Sequence, residues 1–313
     1  MASAVPTARA AKSTLLPMLG LFAGAIAMGI SPVFVRLAEL GPFTSAFWRV
    51  ALAIPPLWIW ARMEGPAMAR TAAAQGRSPR MDRTGWLAVV VAGLFFAGDL
   101  TFWHLAILHT TVANATFLAT LSPVWVVLAS GLVLREAVSM PTWAGLLLCL
   151  VGAGALVGET VSVSPEQLGG DLYGIVTSVF FAGYFLAIRP ARLLFGAGRT
   201  LFLSTIVTAL VMLVEALAWE HQFLPVSLGA AAALVALALF SQVAGQGLLS
   251  YALGHLPAAF SSLVLFVEGV AAAALGWAVL GELVSPVQAV GAVIIFAGII
   301  VARPRRPAAT PGS

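Results

Sequence analysis

Apolar residues run through this chain in long blocks, with polar residues gathered in short breaks between them. A bilayer crossing needs about 20 predominantly apolar residues, and ten blocks approach that length. They lie near Leu15–Leu37, Phe43–Ala61, Trp86–Ile107, Val112–Val133, Trp143–Gly158, Leu172–Ile188, Leu201–Trp219, Leu228–Leu253, Pro257–Leu280 and Val284–Ala302. The pattern predicts an all-α integral membrane protein with ten transmembrane helices. The first block follows Arg9 and Lys12, but it is too long for a signal-peptide core and no small-residue cleavage site ends it, so it reads as a membrane helix. Pro32, Pro55, Pro56 and Pro123 fall inside spans 1, 2 and 4, where a missing N–H kinks or breaks a helix.

Composition supports the membrane reading. Apolar residues make up 61% of the chain and charged residues 9%, against roughly 45–50% and about 25% in soluble domains. That is too little charge for a soluble surface and too much hydrophobicity for a disordered chain. Cys149 is the only cysteine, which excludes a disulfide scaffold. The net charge of +4 does not point to nucleic acid, because the basic residues follow a membrane topology. With ten crossings and a cytoplasmic N-terminus, all of the 16 basic residues except Arg36 and Arg49 fall on the cytoplasmic side. Glu39, Glu159, Glu166, Asp171 and Glu220 fall on the other. Both termini are then cytoplasmic, and the stretch from Arg62 to Gly85, with its Pro, Gly, Ser and five Arg, reads as a solvated cytoplasmic linker.

The chain also repeats itself. A shift of 146 residues places Ala106 on Ala252, His109 on His255, Ala113 on Ala259, Glu136 on Glu282, Gly145 on Gly291 and Gly152 on Gly298. No gap is needed across spans 4–5 and 9–10, whereas spans 1–3 and 6–8 match more weakly. The division expected is a first five-helix repeat over residues 1–158 and a second over 159–313. Five spans is an odd number, so the second repeat crosses in the opposite sense. Inverted repeats of this kind mark secondary transporters, with the substrate site near the midplane.

The residues of the repeat carry a resemblance. Leu121-Ser-Pro-Val-Trp125, Leu134-Arg-Glu136, Trp143-Ala-Gly145 and Val151-Gly152, then Leu280-Gly-Glu282, Val290-Gly291 and Ala297-Gly298, resemble the EamA-type repeat of the drug/metabolite transporter superfamily. Phe47-Trp48-Arg49 is similar to that family's aromatic-Arg position in span 2. The resemblance extends over about residues 15–303 and implies two inverted five-helix EamA-like repeats. Spans 1–4 and 6–9 would surround a central cavity, with spans 5 and 10 peripheral. It implies export of amino acids or other small metabolites, in a bacterial inner (plasma) membrane. The chain departs from the pattern where span 7 lacks an Arg matching Arg49, and where Glu268-Gly269 stands for Ser122-Pro123.

Ionised groups at mid-membrane cost roughly 2.5–3.5 kcal/mol on insertion scales, and so face a cavity or a partner. Arg49 is a candidate donor to an anionic substrate group or, alternatively, the ion-pair partner of Asp99. Asp99 shares a helix face with Phe95, Phe102 and Trp103, a wall suited to an amphiphilic or cationic metabolite. Glu268, in span 9, is the first candidate for proton coupling, with Asp99 the second. Gln242 and Gln246 lie one turn apart in span 8 and can ligand a polar substrate or join helices. Tyr184, Asn114, Thr116 and Thr120 are weaker candidates. Glu215, near Trp219, reads as an interfacial charge. Glu136 and Glu282 read as structural markers that precede the N-termini of spans 5 and 10. The seven-residue Gly145/Gly152 and Gly291/Gly298 spacings form small stripes for close helix packing, within the chain or in a homodimer.

The four histidines lack metal-ligand spacing, and no HExxH, CxxC, GxSxG or P-loop occurs. The chain is thus expected to be neither an enzyme nor a cofactor binder. The expected function is secondary active export of a small metabolite by alternating access, with protons as a candidate coupling ion. The lining would be Arg49, Asp99, Trp103, Tyr184, Gln242, Gln246 and Glu268. The protein would act as a monomer or homodimer in the bilayer. A lipid flippase-like or accessory membrane protein of the same fold is the alternative.

Overall fold

The computed structural model describes residues 14–76, 78, 80–110, 112–158, 165–280 and 284–304. Within them the chain is helical: α1 (Leu15–Gly29), α2 (Ser31–Leu37), α3 (Pro42–Ala51), α4 (Ile54–Ala74), α5 (Arg83–His109), α6 (Val112–Ala119), α7 (Ser122–Ala129), α8 (Met140–Val157), α9 (Leu168–Phe195), α10 (Ala197–Trp219), α11 (Leu228–Ala236), α12 (Gly247–Leu253), α13 (Ala258–Val264), α14 (Phe266–Leu280) and α15 (Pro286–Ala302). Eight helical stretches are long and apolar enough to cross a membrane, making this a multi-pass membrane protein. They are Leu15–Leu37, Arg83–His109, Phe117–Leu134, Met140–Val157, Pro165–Phe195, Ala197–Trp219, Leu228–Leu253 and Ala258–Leu275. The expected spans 2 and 10 are not among the eight. Span 2 is split into α3 and α4 and diluted by polar residues, and α15 is apolar but only 17 residues long.

The prolines break helices where they were expected to. Pro32 begins α2, Pro55 and Pro56 begin α4, and Pro123 begins α7, each within the first turn, where its missing N–H costs nothing. Two irregularities have no proline to announce them. Span 9 is interrupted at Leu265, between α13 and α14. Span 8 is π-helical over Leu237–Gln246. The linker expected after Arg62 is instead helical to Ala74, because Ala67, Ala69 and Ala72–Ala74 favour helix and outweigh Gly65 and Pro66. Asp82 then caps α5 by accepting from the Gly85 N–H at 2.7 Å.

Glycine governs the closest contact. α8 and α15 run antiparallel, with Gly145 facing Gly298 and Gly152 facing Gly291. A Cβ on Gly145 would stand 2.5 Å from the Gly298 carbonyl oxygen, and one on Gly291 2.6 Å from that of Gly152. The two small stripes therefore pack against each other inside one chain. Buried Cys149 sits in the same seam, its thiol 3.6 Å from the Ile295 carbonyl.

Carboxylates join the two halves at helix starts, whose first N–H groups have no partner within the helix. Glu64, in α4, accepts from the N–H groups of Ala197 (3.0 Å) and Gly198 (2.7 Å) at the start of α10. Glu220, just past the end of α10, accepts from those of Phe43 (2.8 Å) and Thr44 (2.9 Å) at the start of α3. The α3–α4 unit and α10 thus lie antiparallel, each holding the other's N-terminus. Gly41 and Gly196 precede these starts, and a Cβ on either would fall within 2.6 Å of the capping carboxylate.

Glu136 corrects its expected role. It pairs with Arg189 of α9, and its second oxygen accepts from Ala258 N–H at 3.1 Å. It therefore serves the start of α13 rather than that of α8. Arg135, in left-handed backbone (φ 54°), ends the π turn Ser130–Leu134 and swings Glu136 there. Arg189 and Arg192 donate in addition to the carbonyls of Leu253, Leu256, Ser250 and Tyr251, at 2.9–3.3 Å, closing the α12–α13 corner. Glu215 is also better placed than an interfacial charge: its two oxygens lie 2.9 and 2.8 Å from the Thr101 hydroxyl of α5. Glu282, and the side chains of Asn114 and Thr116, lie outside the described residues.

Candidate functional site

The helix breaks meet at one cavity. Its wall includes Gly29 and Ser31 on either side of the α1–α2 break, Thr120 and Ser122 at the α6–α7 break, and Leu265 at the α13–α14 break. Into it face Arg49 from α3, Asp99 and Trp103 from α5, Gln246 from the π-helical stretch and Glu268 from α14. Phe96, Thr177 and Phe181 line the wall beside them. Broken helices around a central cavity are the arrangement in which transporter folds hold substrates.

Three ionisable groups stand in this wall without touching one another. No hydrogen bond or ion pair within 4.0 Å engages the side chains of Arg49, Asp99 or Glu268 among the described residues. The direct Arg49–Asp99 pair that the sequence offered as an alternative is therefore not formed. The charges still act on each other, Arg49 on both carboxylates and Glu268 on Asp99. Arg49 is 8% exposed, with its Nε unpartnered and its guanidinium carbon 5.8 Å from the Phe96 ring centre, a cation–π distance. Gln246 is fully buried, and neither its amide oxygen nor its amide nitrogen has a partner. The Thr177 hydroxyl is likewise unpartnered. A buried polar group without a partner costs free energy unless something else satisfies it. Arg49, Thr177 and Gln246 bring such groups to the cavity wall, and Thr44, Thr200, Gln242, Ser250 and Ser261 hold others elsewhere in the bundle.

Two sequence candidates stand behind the wall. Tyr184 is 1% exposed and packs on Phe96 and Phe181, with ring centres 4.9 and 5.9 Å away. Gln242 points away from the cavity and donates its amide to the Thr205 hydroxyl of α10 at 3.3 Å. Of the two amides, only Gln246 faces the cavity. Sequence reading missed Phe96, Phe181 and Thr177, since aromatic and hydroxyl side chains in apolar helices carry no signal of which way they face. His104, five residues after Asp99 on α5, is buried with Nδ1 2.6 Å from the Leu100 carbonyl, and does not line the cavity. No cluster of His, Cys, Asp and Glu fit to hold a metal ion occurs among the described residues.

The chain's relatives agree with this architecture. The model of the EamA-like transporter family matches residues 15–158 and again 168–303. The pseudopaline exporter CntI, from two strains of Pseudomonas aeruginosa, is 28% identical over 220 residues, which is 70% of this chain and 76% of the exporter. A solved protein crystal structure shares the fold with a TM-score of 0.72 at 19% identity, covering 92% of this chain and 96% of the other. Two tandem matches that together take in nearly the whole chain establish its kinship: it belongs to the EamA-like transporter family.

Proposed function

We propose that this protein is a secondary active exporter of small metabolites such as amino acids, working by alternating access between two inverted five-helix repeats. The observation that carries the reading is the central cavity, where Arg49, Asp99 and Glu268 stand unpaired at the meeting point of broken helices. Charges are left unpaired in an apolar bundle at a cost that a charged ligand can offset. The reciprocal glutamate caps, Glu64 on α10 and Glu220 on α3, support an inverted relation of the two halves. In this reading ten segments cross the membrane, with the α3–α4 unit and α15 supplying the two beyond the eight apolar spans. In this reading both termini are cytoplasmic, which the distribution of arginines supports, and the membrane is the inner membrane that the family resemblance implies. The exporters among its relatives support the outward direction.

Proton coupling runs through Glu268 or Asp99 in this reading, because both carboxyl groups face the cavity and could exchange a proton as access alternates. The test is efflux from proteoliposomes loaded with a mixed metabolite pool, read by mass spectrometry with and without a pH gradient. Selective loss of a few solutes is expected, and faster loss with the gradient. Glu268→Gln or Asp99→Asn should abolish the gradient dependence. If both variants keep gradient-driven transport, the coupling assignment is wrong. If folded protein releases no solute selectively, the carrier reading gives way to lipid handling.

A further inference from the structure

The charge pattern of the cavity goes beyond a generic metabolite site and says what the substrate carries. This inference rests on the carrier reading above and deepens it. The lining holds one guanidinium, Arg49, and two carboxyl groups, Asp99 and Glu268, with no other ionisable side chain among the described lining residues. None of the three is spent on a contact with another. The fixed charges therefore do not cancel: with both carboxylates ionised, the cavity carries one negative charge in excess. In a low-dielectric site such an excess has to be matched by a bound cation, a proton or the substrate itself.

We infer that the cavity selects a substrate with one carboxylate and two separated cationic nitrogen groups, of which a diamino monocarboxylic acid is the simplest case. The substrate carboxylate faces Arg49, whose planar fork suits it in a way that a lysine ammonium would not. One substrate cation faces Asp99 and the other faces Glu268. The unpartnered amide of Gln246 and the hydroxyl of Thr177 provide neutral hydrogen bonds between these poles. The Phe96, Trp103 and Phe181 rings accept the methylene chain, and their π faces favour the cationic ends. A zwitterion with a single ammonium fills only two of the three poles. It binds with one proton on the carboxyl group left over, so the preference for the diamino acid over it weakens as pH falls. Two further titratable groups interact electrostatically with members of this trio, Tyr184 from α9 with Arg49 and Asp99, and His104 from α5 with Arg49, both buried outside the lining.

The experiment is equilibrium binding to the purified full chain at several pH values, with proton uptake followed in weakly buffered solution. The probes are lysine, norleucine, glutamate and 1,5-diaminopentane, which share chain length or charge groups in different combinations. Lysine should bind about tenfold or more tightly than norleucine at neutral pH, and the norleucine complex should hold about one proton more than the lysine complex. The diamine, lacking a carboxylate for Arg49, and glutamate, with a second carboxylate, should both bind more weakly than lysine. Asp99→Asn or Glu268→Gln should bring lysine and norleucine to within about threefold of each other and remove that proton difference. Two near-isosteric variants are used so that a folding failure of one leaves the other as the test. Norleucine or glutamate binding as tightly as lysine overturns the inference, as does a lysine preference that survives in both variants. The parent reading fails separately: it falls only if proteoliposomes release no solute selectively, whatever the charge of that solute.

Discussion

At the residue scale, Arg49 is the group whose replacement separates charge from geometry. Arg49→Lys keeps the positive charge but loses the planar fork and its place over Phe96. Initial efflux of a carboxylate substrate should fall at least about tenfold, the loss of roughly 1.4 kcal/mol, while the size-exclusion profile stays that of the parent. An unchanged rate would remove Arg49 from substrate contact. The glutamate caps make a second prediction. Glu64→Gln and Glu220→Gln each weaken a charged cap of two N–H groups, which typically contributes about 1 kcal/mol. They act at opposite ends of the 23-residue α10, about 35 Å apart at the helical rise, so their effects should add. Thermal melts of the two single variants and the double variant in detergent check this. A double variant no less stable than the worse single would show that the two caps are coupled.

At the scale of elements, the α8–α15 seam tests whether the glycines set helix approach. A Cβ on Gly291 would meet the Gly152 carbonyl oxygen at 2.6 Å, whereas a Cβ on Gly154, on the same α8, meets nothing within 4 Å. Gly291→Val should therefore destabilise by about 1–3 kcal/mol through overpacking, and Gly154→Val should leave the melting midpoint nearly unchanged. Equal effects of the two would mean that β-branching, not contact, is the cause. This seam was legible in the sequence, because a seven-residue glycine spacing on an apolar helix marks one face. The proline breaks were legible for a similarly local reason. The break at Leu265 and the π-helical Leu237–Gln246 were not. Neither contains a proline, and the one glycine in the second, Gly245, is of a kind that recurs in the unbroken helices, so no local pattern announces either.

At the scale of the whole molecule, Cys149 reports on the assembled bundle. It is the only cysteine in the chain, and it is fully buried where α8 meets α15. A membrane-permeant maleimide should leave it unlabelled in intact membranes and label it after denaturation in detergent. Rapid labelling of the native protein would contradict the seam. The Gly291→Val variant should raise native labelling as the seam opens, which links the packing prediction to a readout independent of melting.

The fold class was largely readable from the chain alone. Crossing a bilayer is a local requirement on the length and polarity of a run of residues, and it leaves a local trace. The repeat was readable because Glu136/Glu282 and the paired glycines keep their register over two spans. The weaker half of the repeat, around Glu64 and Glu220, was not, since its symmetry lies in contacts between halves rather than in matched residues. What only the tertiary structure decided is which polar groups face one another. Gln242 and Gln246 look equivalent along the chain, yet one donates to Thr205 and the other, buried and unpartnered, belongs to the cavity wall. Arg49 and Asp99 look like a pair, yet they are held apart. The rotation and depth of each helix are set by its packing against several others at once, and that is information no single segment of the chain contains.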